Sequence, residues 1–356
     1  MDPICHTLVG ATLAGTRLGD RCWGAKATLI VAANLPDVDV VSLAWGQNAS
    51  MAWRRGWTHG VLALAVAPFL LAWLVGWWGR RRGREVSQSW LLGLSYLGFL
   101  THPTLDWLNT YGMRWLMPFD GTWFYGDALY IVDPWMWLIP GAAAFLRFSR
   151  GRRAVGLWLV LGLLLSVPIV GFAPAEARWP WLIACTVLVA VRARGPLAPA
   201  TARSLCVVAL GLVVAYAATM AAQQRLTRNE LVVMTGKRPA EVFVGPLPGR
   251  VTSRDVLLAG PHTYTPGIHH LSEPELETLD AIAIESDDVR VLSALLAPCA
   301  EGIANWLRYP FFRIEETTDG GSRVHLLDAR YVRSVQPGFG MWTVEFDAEG
   351  NVVSCP

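Results

Sequence analysis

The sequence predicts an all-α polytopic membrane bundle, with six to eight membrane-embedded helices, followed by a small α+β domain outside the cytoplasm. Three observations carry that expectation. Of 356 residues, 53% are hydrophobic and only 16% charged, against roughly 25% charged in a soluble domain. Up to about Gln223 apolar stretches alternate with short arginine clusters, and from Arg225 onward acidic and basic residues mix. The expected division is therefore residues 1–223 for the membrane-embedded part and 224–356 for the tail. The net charge of +2 says little about partners, because the charges are so unevenly placed.

Crossing a bilayer takes about 20 largely apolar residues. Val61 to Gly79, Ser89 to Thr101, Pro134 to Phe148, Ala154 to Phe172, Trp181 to Val191 and Leu205 to Ala222 meet or approach that length. Thr7 to Gly15 and Ala25 to Leu35 are shorter and read as half-spanning elements. Asp2, Pro3 and His6 occupy the stretch where a cleavable signal peptide would place its basic and apolar regions, so none is expected. Cys5, Cys22, Cys185 and Cys206 fall in or beside apolar stretches, where thiols act as small hydrophobes. Cys299 and Cys355 could pair if the tail faces an oxidising compartment.

Basic residues gather on the cytoplasmic side of a membrane. Arg80, Arg81, Arg82 and Arg84, then Arg147, Arg150, Arg152 and Arg153, then Arg192, Arg194 and Arg203 occupy alternate loops. With those loops cytoplasmic, residues 54–58, 102–133 and 173–180 face outward, and so does the tail. Tryptophans such as Trp53, Trp57, Trp107, Trp135 and Trp179 flank the outward loops, at the depth indole prefers.

Against this apolar background a few polar residues stand out, since a charge inside a membrane helix costs roughly 2.5–3.5 kcal/mol on insertion scales. His6 opens the first short stretch. Asp37 and Asp39 follow Pro36, Arg54, Arg55 and His59 precede the stretch at Val61, and His102 and Asp106 close another. Counting loops puts all of them at one depth, on the outer side. His102 and Asp106 are four residues apart, so one helical face presents both. Imidazole and carboxylate without cysteine suit zinc, iron or manganese in a site that keeps a position open for water. A metal there would lower the pKa of water toward about 7. A spare carboxylate could act as base and an arginine could hold an anionic group. Asp120 reads as a turn residue in Pro118-Phe119-Asp120-Gly121, and Asp133 before Pro134 carries the signature of a helix cap.

At these positions the chain resembles the membrane-bound metal-dependent hydrolases, the YdjM-like inner-membrane proteins. The matching pieces are Met1-Asp2-Pro3 with His6 and Gly10, Leu35-Pro36-Asp37-Val38-Asp39, and Arg55-Gly56-Trp57-Thr58-His59. His102-Pro103-Thr104-Leu105-Asp106-Trp107 with Asn109-Thr110-Tyr111-Gly112, Gly126-Asp127 and Val132-Asp133-Pro134-Trp135 continue the likeness over about the first 150 residues. In the tail, Arg308-Tyr309-Pro310 and Leu327-Asp328-Ala329-Arg330-Tyr331 also look like the family. The resemblance implies a bacterial inner-membrane protein with a metal-dependent hydrolase site. It also implies a distant likeness to zinc-dependent phospholipase C and the single-strand nucleases. His59, His102 and Asp106 would then be metal ligands, His6 would contribute from the N-terminus, and Asp37 would be a ligand or a base. Gly60 follows His59 where many relatives have serine. Where the soluble enzymes carry further histidines and a glutamate, this chain offers only Asp127, as a ligand, and Asp133, as a catalytic carboxylate. One or two divalent ions, zinc foremost, are therefore expected. Asp37 or Asp39 would handle the proton and Arg55 the anionic group of a phosphoester in a lipid-like substrate at the bilayer.

Two other classes compete with that reading: a transporter of metal ions or protons, and a non-catalytic membrane assembly protein. The unbroken stretches Ala154 to Phe172 and Leu205 to Ala222 disfavour a conduction path. In the tail, Glu241 to Val244, Phe311 to Glu316, Arg323 to Leu327 and Trp342 to Phe346 alternate as strands do, with hairpin signals at Asp319-Gly320-Gly321 and Glu349-Gly350-Asn351. Ser272 with Glu275 reads as a capping box, and Asp287 as the start of a second helix running to about Arg308. His262, His269 and His270 read as solvated loop residues. No basic face interleaved with aromatics suggests nucleic acid.

Overall fold

Asp2 and Pro3 start the chain's first helix, α1 (Pro3–Gly15). The Asp2 carboxylate accepts from the backbone N–H groups of Ile4 at 3.0 Å and Cys5 at 3.1 Å, and proline suits the first turn because its missing N–H would be unpaired there anyway. The computed structural model describes residues 1–272, 275–335 and 338–355. The helices that follow are α2 (Ala25–Ala32), α3 (Gln47–Trp53), α4 (Val61–Arg81), α5 (Gln88–Trp107), α6 (Pro134–Phe148), α7 (Arg152–Phe172), α8 (Ala175–Ala193) and α9 (Pro199–Thr235). Between α2 and α3 the chain runs as a 3-10 segment, Leu35–Trp45.

The described chain divides into two compact units. One holds Met1–Val38, Arg55–Gln223 and Pro246–Val251; the other holds Asp39–Arg54, Gln224–Gly245 and Thr252–Pro356. In the first unit α2 packs between α1 and α5. Gly98 makes the α2–α5 approach possible: a Cβ there would stand 2.8 Å from the Ala32 Cβ and 2.9 Å from the Leu29 carbonyl oxygen. Leu29, Ala32 and Ala33 are fully buried as a result. α7 and α8 lie side by side, with the Trp181 indole donating to Ser166 Oγ at 2.8 Å, and Arg192 of α8 donates to the carbonyl of Ser149, the C-cap of α6, at 2.6 Å.

The expected six to eight membrane-embedded helices are not found as spans. Helices form in all eight stretches, but among the described residues only α4, α7 and α9 are long and apolar enough to cross a membrane. A fourth candidate is Ala25–Ala32 taken with Leu35–Trp45, bent by 42°. The physical reasons differ. With 13, 8 and 15 residues, α1, α2 and α6 fall short of the ~30 Å hydrocarbon core at about 1.5 Å per residue. α8 carries Glu176, Arg178 and Arg192. In α5, Gln88, Ser89, Ser95, His102 and Asp106 lower the hydropathy. The alternation of arginine-rich loops loses its basis with that count.

The second unit carries the β structure. A five-stranded sheet has the order β1 (Val242–Pro246), β2 (Ser253–Ala259), β3 (Thr263–His270), β4 (Leu276–Thr278), with β5 (Ile282–Ala283) also on β3. A four-stranded antiparallel meander follows: β6 (Pro310–Glu316), β7 (Ser322–Asp328), β8 (Met341–Phe346) and β9 (Val352–Ser354). Hairpin turns form at Gly320 and Gly350, both at positive φ. α10 (Val289–Leu296) and α11 (Glu301–Trp306) lie between the sheets in sequence. Asp288, one residue after the expected cap, receives the Arg290 N–H at 2.8 Å and starts α10. That helix stops at Leu296, because Pro298 cannot continue the hydrogen-bond ladder. The capping box read at Ser272 and Glu275 spans residues 273–274, outside the described residues. Directly after it Leu276 pairs with His269 on β3, so sheet pairing replaces the expected helix. Cys299 and Cys355 form a disulfide, with Cα atoms 6.0 Å apart.

Candidate metal centre

Four segments of the first unit deliver the site. α1 carries His6, the first turn of the 3-10 segment carries Asp37, His59 stands two residues before α4, and the last turns of α5 hold His102 and Asp106. Helical geometry persists through Pro103 to Trp107, so the four-residue spacing does place His102 and Asp106 on one face. One turn earlier on that face, Gly98 brings α5 close to α2. There the Ala33 carbonyl accepts from His102 Nδ1 at 2.7 Å.

That bond fixes the imidazole. A carbonyl can only accept, so Nδ1 carries the proton and a neutral ring turns its Nε2 lone pair inward. His59 is held likewise, its Nδ1 2.9 Å from Thr58 Oγ1. The two Nε2 atoms stand 3.2 Å apart. Asp106 Oδ2 is 3.3 Å from His59 Nε2 and 3.4 Å from His102 Nε2, and Asp37 Oδ1 is 3.6 Å from His102 Nε2. Asp37, His59, His102 and Asp106 each offer a ligand atom within 4.8 Å of the others. His59, His102 and Asp106 are fully buried; Asp37 is the member that reaches solvent, its side chain 13% exposed. Among the described residues Asp37 Oδ2 and Asp106 Oδ2 accept no hydrogen bond.

His6 stands beside this set. Its ring stacks on that of His102 with centroids 3.7 Å apart, and its Nε2 is 3.3 Å from Asp106 Oδ1. Arg55 is 3.1 Å from the same oxygen. The Arg55 guanidinium is nearly all used within the protein: it donates to Asn109 Oδ1 at 2.9 Å and to the Gly112 carbonyl at 3.3 Å, and covers the Tyr111 ring at 4.5 Å. Only 4% exposed, it is placed to balance the Asp106 charge rather than to meet a substrate anion, as the sequence suggested. The amino group of Met1 also contacts Asp106 Oδ1. Reading the sequence missed Asn109 as a partner of Arg55, although it lies one helical turn beyond Asp106.

Three other expected site residues lie outside the four-residue cluster. Asp39 pairs with Arg54 at 3.6 Å within the second unit. Asp133 caps α6 through the Trp135 and Met136 N–H groups, and its other oxygen receives the Tyr216 hydroxyl at 2.9 Å; its lone pairs serve the fold. Asp127 is buried in a left-handed conformation, φ 52°. Gly60 has no room for a side chain, since a Cβ would stand 2.4 Å from the Met117 carbonyl oxygen.

The donor set fits a divalent cation. Two imidazoles held through Nδ1 with Nε2 turned inward, next to two carboxylates with unused oxygens, form a tetrahedral-capable N/O set. Their supporting bonds to Ala33 and Thr58 are the outer-shell contacts that orient metal-bound histidines. No cysteine is present, so the identity of the ion is open among zinc, iron and manganese.

Residues 1–177 match the model of the YdjM inner membrane protein family, and that match covers all four residues of the cluster. No curated protein and no solved structure matches the chain.

Proposed function

Starting from a family of inner membrane proteins matched over residues 1–177 and a buried His/Asp cluster within that stretch, we propose a membrane-bound metal-dependent hydrolase. Its substrate class is a phosphoester in a lipid-like molecule. The observation that carries the reading is the convergence of His59 Nε2 and His102 Nε2 on Asp106 and Asp37. His59, His102, Asp106 and Asp37 would hold a divalent ion, with His6 stacked behind His102. Such an ion supplies Lewis acidity toward water and toward a phosphoryl oxygen. Ala33 and Thr58 keep the two imidazoles in one orientation, and Arg55 offsets the Asp106 charge. Asp37, the solvent-reaching member, is the group placed to take a proton from water or to meet the substrate.

Location follows from two separate features. The helices α4, α7 and α9 supply enough apolar length for the membrane. The Cys299–Cys355 disulfide suits a C-terminal domain in an oxidising, extracytoplasmic compartment. Metal analysis of the purified full chain, stripped and reloaded, tests the first step. Activity against phosphodiester and phospholipid panels, with His102→Ala and Asp106→Ala as controls, tests the second. A wild-type chain that retains no metal would end the hydrolase reading.

A further inference from the structure

α4 ends on a run of arginines that rest on indoles instead of pairing with carboxylates. Its apolar length closes at Trp77 and Trp78, and Arg80, Arg81, Arg82 and Arg84 follow directly. Gly83, at φ 66°, turns the chain back so that the Arg84 N–H reaches the Gly79 carbonyl at 3.0 Å. The Arg81 guanidinium lies over the Trp77 ring at 4.3 Å, and that of Arg82 over Trp78 at 4.2 Å. From the corner before α2, Arg21 lies over Trp90 of α5 at 4.6 Å, and Trp23 meets Trp78 edge to face at 5.7 Å. Two glycines let these pieces close. A Cβ at Gly79 would stand 2.7 Å from the Trp23 ring, and one at Gly76 would stand 2.2 Å from Gln88 Oε1. That oxygen accepts from Arg80 at 3.2 Å. All of these residues belong to the first unit.

Among the described residues, Arg21, Arg80, Arg81 and Arg82 form no ion pair with a carboxylate. Asp20, next to Arg21 in sequence, is taken by Lys26 at 3.0 Å and Arg203 at 2.9 Å, and Glu85 of the α4–α5 turn pairs with none of the four. Stacking on an indole occupies the plane of a guanidinium and leaves its in-plane N–H fork free. The group that such a fork grips best is a carboxylate or a phosphate. Depth decides between them. α4 is long and apolar enough to cross a membrane, so its arginine end comes to lie among the headgroups, where indole also prefers to sit. The phosphates at that depth belong to lipids. We infer that the end of α4, with the Arg21 corner and Trp90, binds the phosphate of an anionic phospholipid. A zwitterionic headgroup offers the same phosphate, but its ammonium is repelled by the surplus positive charge. The site stands at the end of α4 remote from His59, about 30 Å along the helix, and does not depend on the metal centre.

The test adds phosphatidylglycerol or phosphatidylcholine to the delipidated full chain in detergent and counts bound lipid by native mass spectrometry. Phosphatidylglycerol is expected to bind about 25-fold more tightly than phosphatidylcholine, and Arg81→Gln with Arg82→Gln to remove that preference, about fivefold per charge. Both side chains are exposed, so the variant folds. Arg152→Gln with Arg153→Gln removes the same charge at the start of α7, where among the described residues no indole covers either guanidinium. It should change phosphatidylglycerol binding by less than about twofold, because solvent screens separated surface charges. Trp77→Leu with Trp78→Leu keeps every charge but frees the forks, and should weaken phosphatidylglycerol binding while leaving phosphatidylcholine alone. A hundredfold excess of inorganic phosphate should displace no lipid. Equal affinity for the two lipids, equal losses in the two arginine variants, an unchanged tryptophan variant, or displacement by inorganic phosphate would each overturn the inference.

Discussion

Replacing Asp106 by Asn removes one charge and almost no volume, so its effect isolates the electrostatics of the cluster. Asp106 is fully buried, and Arg55, itself 4% exposed, stands 3.1 Å from its Oδ1. At an effective dielectric of about 20, that pair attracts by about 5 kcal/mol. Removing one partner of a buried pair typically costs about 3–5 kcal/mol, because the other charge is stranded. Arg55 keeps Asn109 and the Gly112 carbonyl, which places the loss near 3 kcal/mol. For a unit of about 200 residues each kcal/mol is worth about 2–4 °C, so the ion-free midpoint should fall by about 6–12 °C. The wild type should also gain about 2.7 kcal/mol at a hundredfold excess of Zn2+ over its Kd, whereas the variant should gain almost nothing. Tryptophan fluorescence during heating, with and without Zn2+, reads both shifts. An Asp106→Asn chain that melts like wild type and still responds to Zn2+ would refute the reasoning.

Two further predictions concern the C-terminal unit. Burial pushes the Asp255 carboxyl up to about 6, against the opposing pull of Arg333, from an ordinary value near 3.9. The folded state therefore holds this proton more tightly. Its contribution favours folding below about pH 4 and is lost as pH rises through about 6, a swing of about 3 kcal/mol. The melting midpoint of Asp255→Asn should accordingly gain on wild type between pH 4 and 7; a constant difference would count against the burial of Asp255. For the disulfide, the denatured but unreduced chain should expose four reactive thiols, Cys5, Cys22, Cys185 and Cys206. Cys299→Ser should cost about 4 kcal/mol through the loop of 56 residues it releases. Six reactive thiols, or a midpoint unmoved by the substitution, would show the bond to be absent.

The cluster was legible because its chemistry clashes with its surroundings. Imidazole and carboxylate stand out in apolar sequence, and the helical period places His102 over Asp106 whatever else the fold does. Length was harder to read. Composition shows that Pro134 to Phe148 and Trp181 to Val191 are apolar, but whether each crosses depends on where the helix stops and on charges such as Arg178 and Arg192 at its ends. The roles of Asp39 and Asp133 depended on partners far along the chain or on local capping. Asp133 did carry the cap signature in its neighbour Pro134, whereas nothing local to residues 39–54 reveals that they fold with α11. Four strands of the tail, β1, β6, β7 and β8, were visible as alternation; β2 and β3 were not read from the sequence, and β4, β5 and β9, of three residues or fewer, are too few to show a period.

The ligands come from positions 37, 59, 102 and 106, in three stretches of chain widely separated in sequence. None of those stretches can bind alone, and the pocket closes only once α5 has packed against α2 so that Ala33 can orient His102. An ion would therefore be captured late in maturation, after insertion has delivered every donor to its final depth. Which metal the protein acquires would then be decided by what the surrounding compartment offers at that moment, more than by preferences written into the donor atoms.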